Sequence, residues 1–261
     1  MTRASGASTV ERRRRIVDKI QEHGQVFIQE LSQQFGVSEV TIRNDLDQLE
    51  AKKMLIRARG GAINFEGYVG IDPQIEQKNQ LNYRQKALIG RKAAQLIKEG
   101  DTIILDSGTT TSEIVQHIPS FERLNIITNA LNIVRLLMDH PRINVIIPGG
   151  YLRQNAMSLV GPLAERNLRS LYVDKVFLSA DGFDTRQGIF TPNIDESHLN
   201  QIMIEVAKEV ILVTDSSKFK RKSLAFICPV EKLDTVVTDN GISAEDKQRL
   251  ENAGVRVIIA S

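Results

Sequence analysis

Short apolar runs alternate with stretches of helical spacing from Thr102 to the C-terminus, and no other feature of the sequence restricts its fold so strongly. The first run is Thr102-Ile-Ile-Leu-Asp106, and others fall at 125–128, 143–147, 173–179, 209–214, 234–238 and 255–259. Helical stretches lie near 110–117, 130–138, 195–207 and 243–252, and a helix over Tyr83–Lys98 precedes the first run. A strand that is apolar throughout needs cover on both faces, which a parallel sheet between helices supplies. Residues 83–261 are therefore expected to form an α/β domain with a mostly parallel, Rossmann-like sheet.

The first quarter of the chain has a different rhythm. Val10, Ile16 and Ile20 recur at helical spacing, predicting a helix over Thr9–His23 that stops at Gly24. A second helix is expected over Ile28–Phe35, with Leu31 and Phe35 on one face. Gly36-Val37-Ser38 is a tight connector, and Ser38 is a good N-cap for a third helix from Glu39 to about Lys52. Ile42, Leu46 and Leu49 supply its buried stripe. Met54–Arg59 reads as a strand, Gly60-Gly61 as a turn and Ala62–Phe65 as the returning strand. The domain plan is a polar, disordered tail at 1–8, a winged helix-turn-helix at 9–65, a linker at 66–82 and the α/β domain at 83–261.

Two short helices and a tight connector, at about residues 25–44, fit a helix-turn-helix whose last helix enters the DNA major groove. The buried stripe of that helix leaves Glu39, Thr41, Arg43, Asn44 and Asp47 outside it. Arginine can donate two hydrogen bonds to guanine, asparagine can pair with adenine, and Ser38 and Thr41 can reach phosphate or a thymine methyl. On the hairpin, Arg57 and Arg59 are two apart and share a face, and Gly60 lets backbone approach phosphate. The run Arg12–Arg15 fans around its helix, so one or two of its guanidiniums are expected to meet DNA and the rest to be solvated.

Charge supports this placement weakly. The net charge is +2, and residues 1–65 hold eleven Lys/Arg against eight Asp/Glu. No apolar run reaches the roughly 18–20 residues that span a bilayer, and the start of the chain lacks the apolar stretch of a secretory signal. One cysteine, Cys228, and four histidines speak against a disulfide framework or a structural metal. The expectation is a cytoplasmic protein with no membrane segment, no metal and no cofactor.

In the α/β half, Asp106-Ser107-Gly108-Thr109-Thr110-Thr111 sits between a predicted strand and a predicted helix. Ligands of open α/β sheets favour that strand end. Gly108 lets the backbone approach, and free N–H groups with four hydroxyls make a phosphate cradle.

The segment Leu31–Leu46, with Val37-Ser38, Thr41-Ile42-Arg43 and Asp45-Leu46, followed by Arg59-Gly-Gly-Ala62, resembles the DeoR family of sugar-operon regulators. Asn44 stands where members commonly carry Arg or Lys, and Lys53 where a helix-ending Gly is usual. The resemblance extends along nearly the whole chain. It implies that Gly149-Gly150 with Arg153, Asp181–Asp184, Asn193–Glu196 and Asp215–Lys218 face the same pocket. The carboxylates of these segments, Asp181 and Glu196 among them, would accept sugar hydroxyls, while Lys218 or Arg153 would balance a phosphate. The second half also resembles sugar-phosphate isomerases of the ribose-5-phosphate isomerase type, at Ser107–Thr111, Asp181–Asp184, Asp215–Lys218 and Glu196. Their Lys-Gly-Gly segment has no clear counterpart in Arg186–Pro192, which favours binding without turnover. An isomerase with an appended DNA-binding domain is the first alternative, and an architectural DNA binder whose α/β half only oligomerises is the second. The stretches Ile104–Thr111 and Val213–Phe219 are similar to the amino-sugar (N-acetylgalactosamine) repressors within the family. The partners so implied are double-stranded operator DNA, a phosphorylated sugar, and further copies of the chain in a dimer or tetramer.

Overall fold

The computed structural model describes residues 8–261 except 24, 53, 59, 64–71 and 120, with 21–23, 56 and 63 described by their backbone alone. The tail 1–7, Gly24, Lys53, Arg59 and residues 64–71 of the expected hairpin and linker thus lie outside the described residues. The chain divides into two compact units, 1–71 and 72–261.

The first unit runs α1 (Thr9–His23), β1 (Gln25–Phe27), α2 (Ile28–Phe35), α3 (Glu39–Ala51), β2 (Ile56–Ala58) and β3 (Gly61–Ile63). Ile16 and Ile20 of α1, Leu31 of α2 and Ile42, Leu46 and Leu49 of α3 fill its core; Val10, expected on that stripe, is exposed. Gly36 ends α2 with φ +64°, a left-handed position that glycine takes without a Cβ penalty, and its N–H returns to the Ser32 carbonyl. Ser38 then caps α3, its Oγ accepting from Thr41 N at 3.2 Å. The three strands form one antiparallel sheet in the order β1-β3-β2. Gly61 therefore lies within a strand, paired with Phe27 and Ala58, and not in the turn expected at Gly60-Gly61. The short β1 lacks the length for a readable alternation, so it escaped the sequence pattern.

The second unit begins with a helix where a linker was expected: α4 (Ile75–Gln80), with Ile75 buried. Then follow α5 (Tyr83–Ala94), β4 (Thr102–Leu105), α6 (Thr109–Val115), β5 (Leu124–Thr128), α7 (Leu131–Leu137) and β6 (Ile143–Ile146). A hairpin of β7 (Tyr151–Arg153) and β8 (Ser158–Val160) leads into α8 (Pro162–Leu168) and β9 (Val173–Leu178). The remainder is β10 (Gly182–Asp184), β11 (Gly188–Thr191), α9 (Ile194–Glu205), β12 (Ala207–Val213), β13 (Ala225–Cys228), β14 (Thr235–Asp239), α10 (Ala244–Asn252) and β15 (Arg256–Ala260).

Seven strands pair in parallel in the order β15-β14-β12-β9-β4-β5-β6. Period-two alternation divides their side chains between two cores. Ile103, Leu105, Ile126, Phe177 and Ile211 pack with α5, α6 and α7, while Ile104, Ile127, Val176, Leu178 and Leu212 pack with α8, α9 and α10. This is the doubly covered sheet that the apolar runs demanded. Strand order reverses between β4 and β9, so the loops after these two strands diverge to opposite faces and leave a crevice at their carboxyl ends. The small sheet β10-β11-β13 and the β7–β8 hairpin were not anticipated. Among the described residues, no helix is long and apolar enough to cross a membrane.

Candidate functional site

In the first unit, the solvent face of α3 carries Val40, Arg43, Asn44 and Asp47, all exposed and spaced as one helical face. Arg43 pairs with Glu39 one turn earlier at 2.9 Å, and both side chains are about half exposed, so the pair is easily exchanged. Ser38 and Thr41 share a hydroxyl contact of 2.9 Å at the helix start. Arg57 lies on β2, its Nε 3.0 Å from Asp47 and its Nη1 donating to the Gly61 carbonyl. Gly60, at the hairpin turn with φ +81°, lines one shallow groove together with Arg43 and Glu39. Val40, not singled out from the sequence, is a β-branched apolar side chain exposed outside the buried stripe.

The arginine run is placed differently from expectation. Arg12 is buried, and its Nε meets Asp45 Oδ2 at 2.5 Å, while Arg13 Nε meets Asp45 Oδ1 at 2.7 Å. Arg15 pairs with Glu11 on the surface. Two of the four guanidiniums thus tie α1 to α3, because a buried carboxylate on α3 needs opposite charge beside it.

In the second unit, the carboxyl ends of β4, β9 and β12 open into a pocket. Of the expected ligand residues, Asp106, Ser107, Gly108, Thr109, Thr110, Asp181, Glu196 and Lys218 line it. Thr111 is fully buried and its hydroxyl donates to the Gly108 carbonyl at 3.0 Å. Gly150 and Arg153 are not among the lining residues; Gly150 packs against Val160 and Ala164 beside the β7–β8 hairpin. Gly108 is extended (φ 173°), yet a Cβ there would fall 2.2 Å from Ser179 Oγ, so it is glycine that lets the β4 and β9 loops meet.

Two buried carboxylates form the floor. Asp106 accepts from the N–H groups of Ser107 and Ser179 and from Asn200, but burial and the negative charge of Glu196 push its pKa up to about 8. Glu196 is taken on both oxygens: Ser107 Oγ donates to Oε1 at 2.9 Å and Thr191 Oγ1 to Oε2 at 2.6 Å. Arg153 Nη1 lies 2.8 Å from the same Oε1, and Nη2 lies 2.5 Å from Asp72 Oδ2. These are ion-pair contacts; the guanidinium N–H groups are not aligned as hydrogen bonds.

Three ammonium groups, of Lys78, Lys86 and Lys218, line the pocket. Lys78 pairs with Asp181 at 2.6 Å, and although burial alone would raise the Asp181 pKa, Lys78 and Lys218 hold it low. Lys86, only 5% exposed, donates to the Lys78 carbonyl. Its pKa falls to about 8, first through burial and then through Lys218 and Lys78, with Asp215 opposing. Lys78 and Lys86 were not anticipated. Lys86 carried a signal, since it stands on the buried stripe of α5 with Ile89, Gly90 and Ala93. Lys78 carried none, lying in a stretch read as linker.

The DeoR-like helix-turn-helix domain matches residues 12–66, and the DeoR C terminal sensor domain matches 81–240. A putative aga operon transcriptional repressor of Escherichia coli O157:H7 is 39% identical over 263 residues, covering 99% of this chain and 98% of the relative. The lactose phosphotransferase system repressor of Lactococcus lactis subsp. lactis is 32% identical over 88% of this chain and 91% of its own. Among solved structures, ribose 5-phosphate isomerase A from Methanocaldococcus jannaschii aligns with a TM-score of 0.39 and 18% identity, over 53% of this chain and 55% of that one. Two domain matches in series and relatives aligned end to end make this chain a member of the DeoR family of transcriptional regulators.

Proposed function

We propose that the protein represses a sugar-catabolic operon, of the amino-sugar type, and that a phosphorylated sugar in the pocket relieves repression. The observation that carries the effector reading is the set of three lysines, Lys78, Lys86 and Lys218, around the hydroxyls of Ser107, Thr109 and Thr110. Asp181 and Asp215 already face these ammonium groups, so an incoming anion displaces them only if it carries more charge than a single carboxylate. A phosphate dianion supplies that charge and several acceptor oxygens. The floor of Asp106 and Glu196 suits sugar hydroxyls. Glu196 has donors on both oxygens and Arg153 beside it, which supports binding without turnover. On the DNA side, the α3 face and Arg57 meet operator, and the protein works in the cytoplasm as a dimer or tetramer on paired half-sites. The relatives' names, an aga operon repressor and a lactose system repressor, support the sugar-operon reading.

The test is a thermal-shift screen of sugar phosphates and their free sugars, followed by operator gel shift with and without the hit. Coupling of about 1–3 kcal/mol, roughly 5–150-fold in operator affinity, is the expected size. Thr110→Ala and Lys218→Ala should fold, bind operator and ignore the effector. A free sugar acting as well as its phosphate, or Lys218→Ala responding with the original midpoint, would overturn the phosphate reading.

A further inference from the structure

The stretch 72–82 opens the second unit and lines the pocket through Ile75, Lys78, Leu81 and Asn82. It is fastened at three points. Asp72 is held by Arg153, which reaches Glu196 Oε1, the oxygen that also accepts Ser107 Oγ. Lys78 is held by Asp181, and Asn82 Nδ2 donates to Asp215 Oδ1 at 2.9 Å. Each fastening ends on a carboxylate that faces the pocket: Glu196, Asp181 and Asp215. Ligand recognition and retention of this stretch therefore draw on the same groups.

We infer that residues 72–82 are a strap whose fastening reports pocket occupancy, with Asp72–Arg153–Glu196 as its anchor and Lys78–Asp181 as its exchangeable clasp. This rests on the pocket being the effector site. An incoming phosphate carries more charge than Asp181 and takes the Lys78 ammonium, leaving the Asp181 carboxylate to a ligand hydroxyl. The strap is then clasped through the ligand. At the anchor, Ser107 Oγ turns towards the ligand and leaves Glu196 Oε1 to Arg153, which tightens the hold on Asp72. The strap is where the chain enters the sensor unit from the DNA-binding one, so a ligand that binds the tightened form better biases what the strap transmits. A purely static pin would hold the strap equally with and without ligand.

The experiment is amide hydrogen exchange on the full-length chain, its Asp72→Asn variant and its Asp72→Glu variant, each alone and with N-acetylgalactosamine 6-phosphate at saturation by calorimetry. Without ligand, Asp72→Asn should speed exchange of 72–82 about tenfold and leave α9 unchanged. With the probe bound, the strap of the parent should slow about tenfold, whereas Asp72→Asn should bind the probe within about threefold yet lose most of that slowing. Asp72→Glu should restore it. Unchanged strap exchange in Asp72→Asn, or a parent strap indifferent to bound probe, overturns the inference. So does a loss of α9 protection in Asp72→Asn, which would mark Asp72 as a general structural pin. If the probe does not bind the parent, the effector reading loses its support, and the ligand-free comparison alone decides the anchor.

Discussion

Lys86 shows how much a single position can carry. A lysine among Ile89, Gly90 and Ala93 is costly to bury, and its lowered pKa measures that cost. Unfolded, the ammonium holds its proton to about pH 10.5; folded, it releases it at about 8. The unfolded chain binds more protons between these values, so Lys86 disfavours folding below pH 8 and the penalty fades as pH rises through the window. The full penalty is up to roughly 3 kcal/mol by the size of the shift. Lys86→Met should therefore raise the melting temperature at pH 7 and narrow the gap at pH 10. The same variant should bind a phosphorylated effector far more weakly. In the parent, effector affinity should fall as pH rises through about 8, and calorimetry in buffers of different ionisation enthalpy should show proton uptake there. A parent affinity that is flat from pH 7 to 9, or undiminished affinity in Lys86→Met, would remove Lys86 from the phosphate site. The Arg12–Asp45 contact carries the opposite lesson: a basic run suggestive of DNA is partly spent inside the fold, on a carboxylate 33 residues away.

At the scale of elements, the three helices of the first unit were legible because each has its own boundary chemistry. Gly36 closes one and Ser38 opens the next, and burial at Ile42, Leu46 and Leu49 orients α3. That orientation leaves Val40, Arg43, Asn44 and Asp47 exposed on one face, the face proposed to read DNA. Arg43→Ala should cost roughly 1–3 kcal/mol on the preferred operator and relax choice at one base pair. Arg57→Ala should weaken binding to every sequence and reduce the salt slope by about one, as expected of a phosphate contact. Both follow from exposed ion pairs, with Glu39 and Asp47, that cost little to exchange for DNA. Fluorescence anisotropy on operator and scrambled duplexes over a salt series separates the two; unaltered affinity in both variants would sink this docking face. The returning strand of the hairpin begins one residue earlier than expected, because Gly61 is needed in the sheet, where a Cβ would strike the Val26 carbonyl. That requirement comes from β1, an element too short to announce itself.

At the scale of the molecule, the proposed reading face of four side chains would contact few base pairs, so on that proposal operator choice calls for two faces on one site. The full chain should sediment as a dimer or larger at micromolar concentration, and a monomer there would remove the paired-half-site reading. What the sequence determined by itself is what short-range physics encodes. Apolar periodicity dictated which runs become strands and which helices, and caps and glycines marked their ends. The Ser107–Thr110 loop was legible because chemistry and strand end coincide within a few residues. Only the tertiary structure decided which charges meet. Arg12 and Arg13 find Asp45, Arg153 spans Asp72 and Glu196, and Lys78 and Lys86 join Lys218, across separations that no local spacing records. A salt bridge leaves no period in the sequence. Its partners are named by tertiary packing, and in the second unit the reversal between β4 and β9 opens the crevice in which Lys78, Lys86 and Lys218 face Asp181 and Asp215.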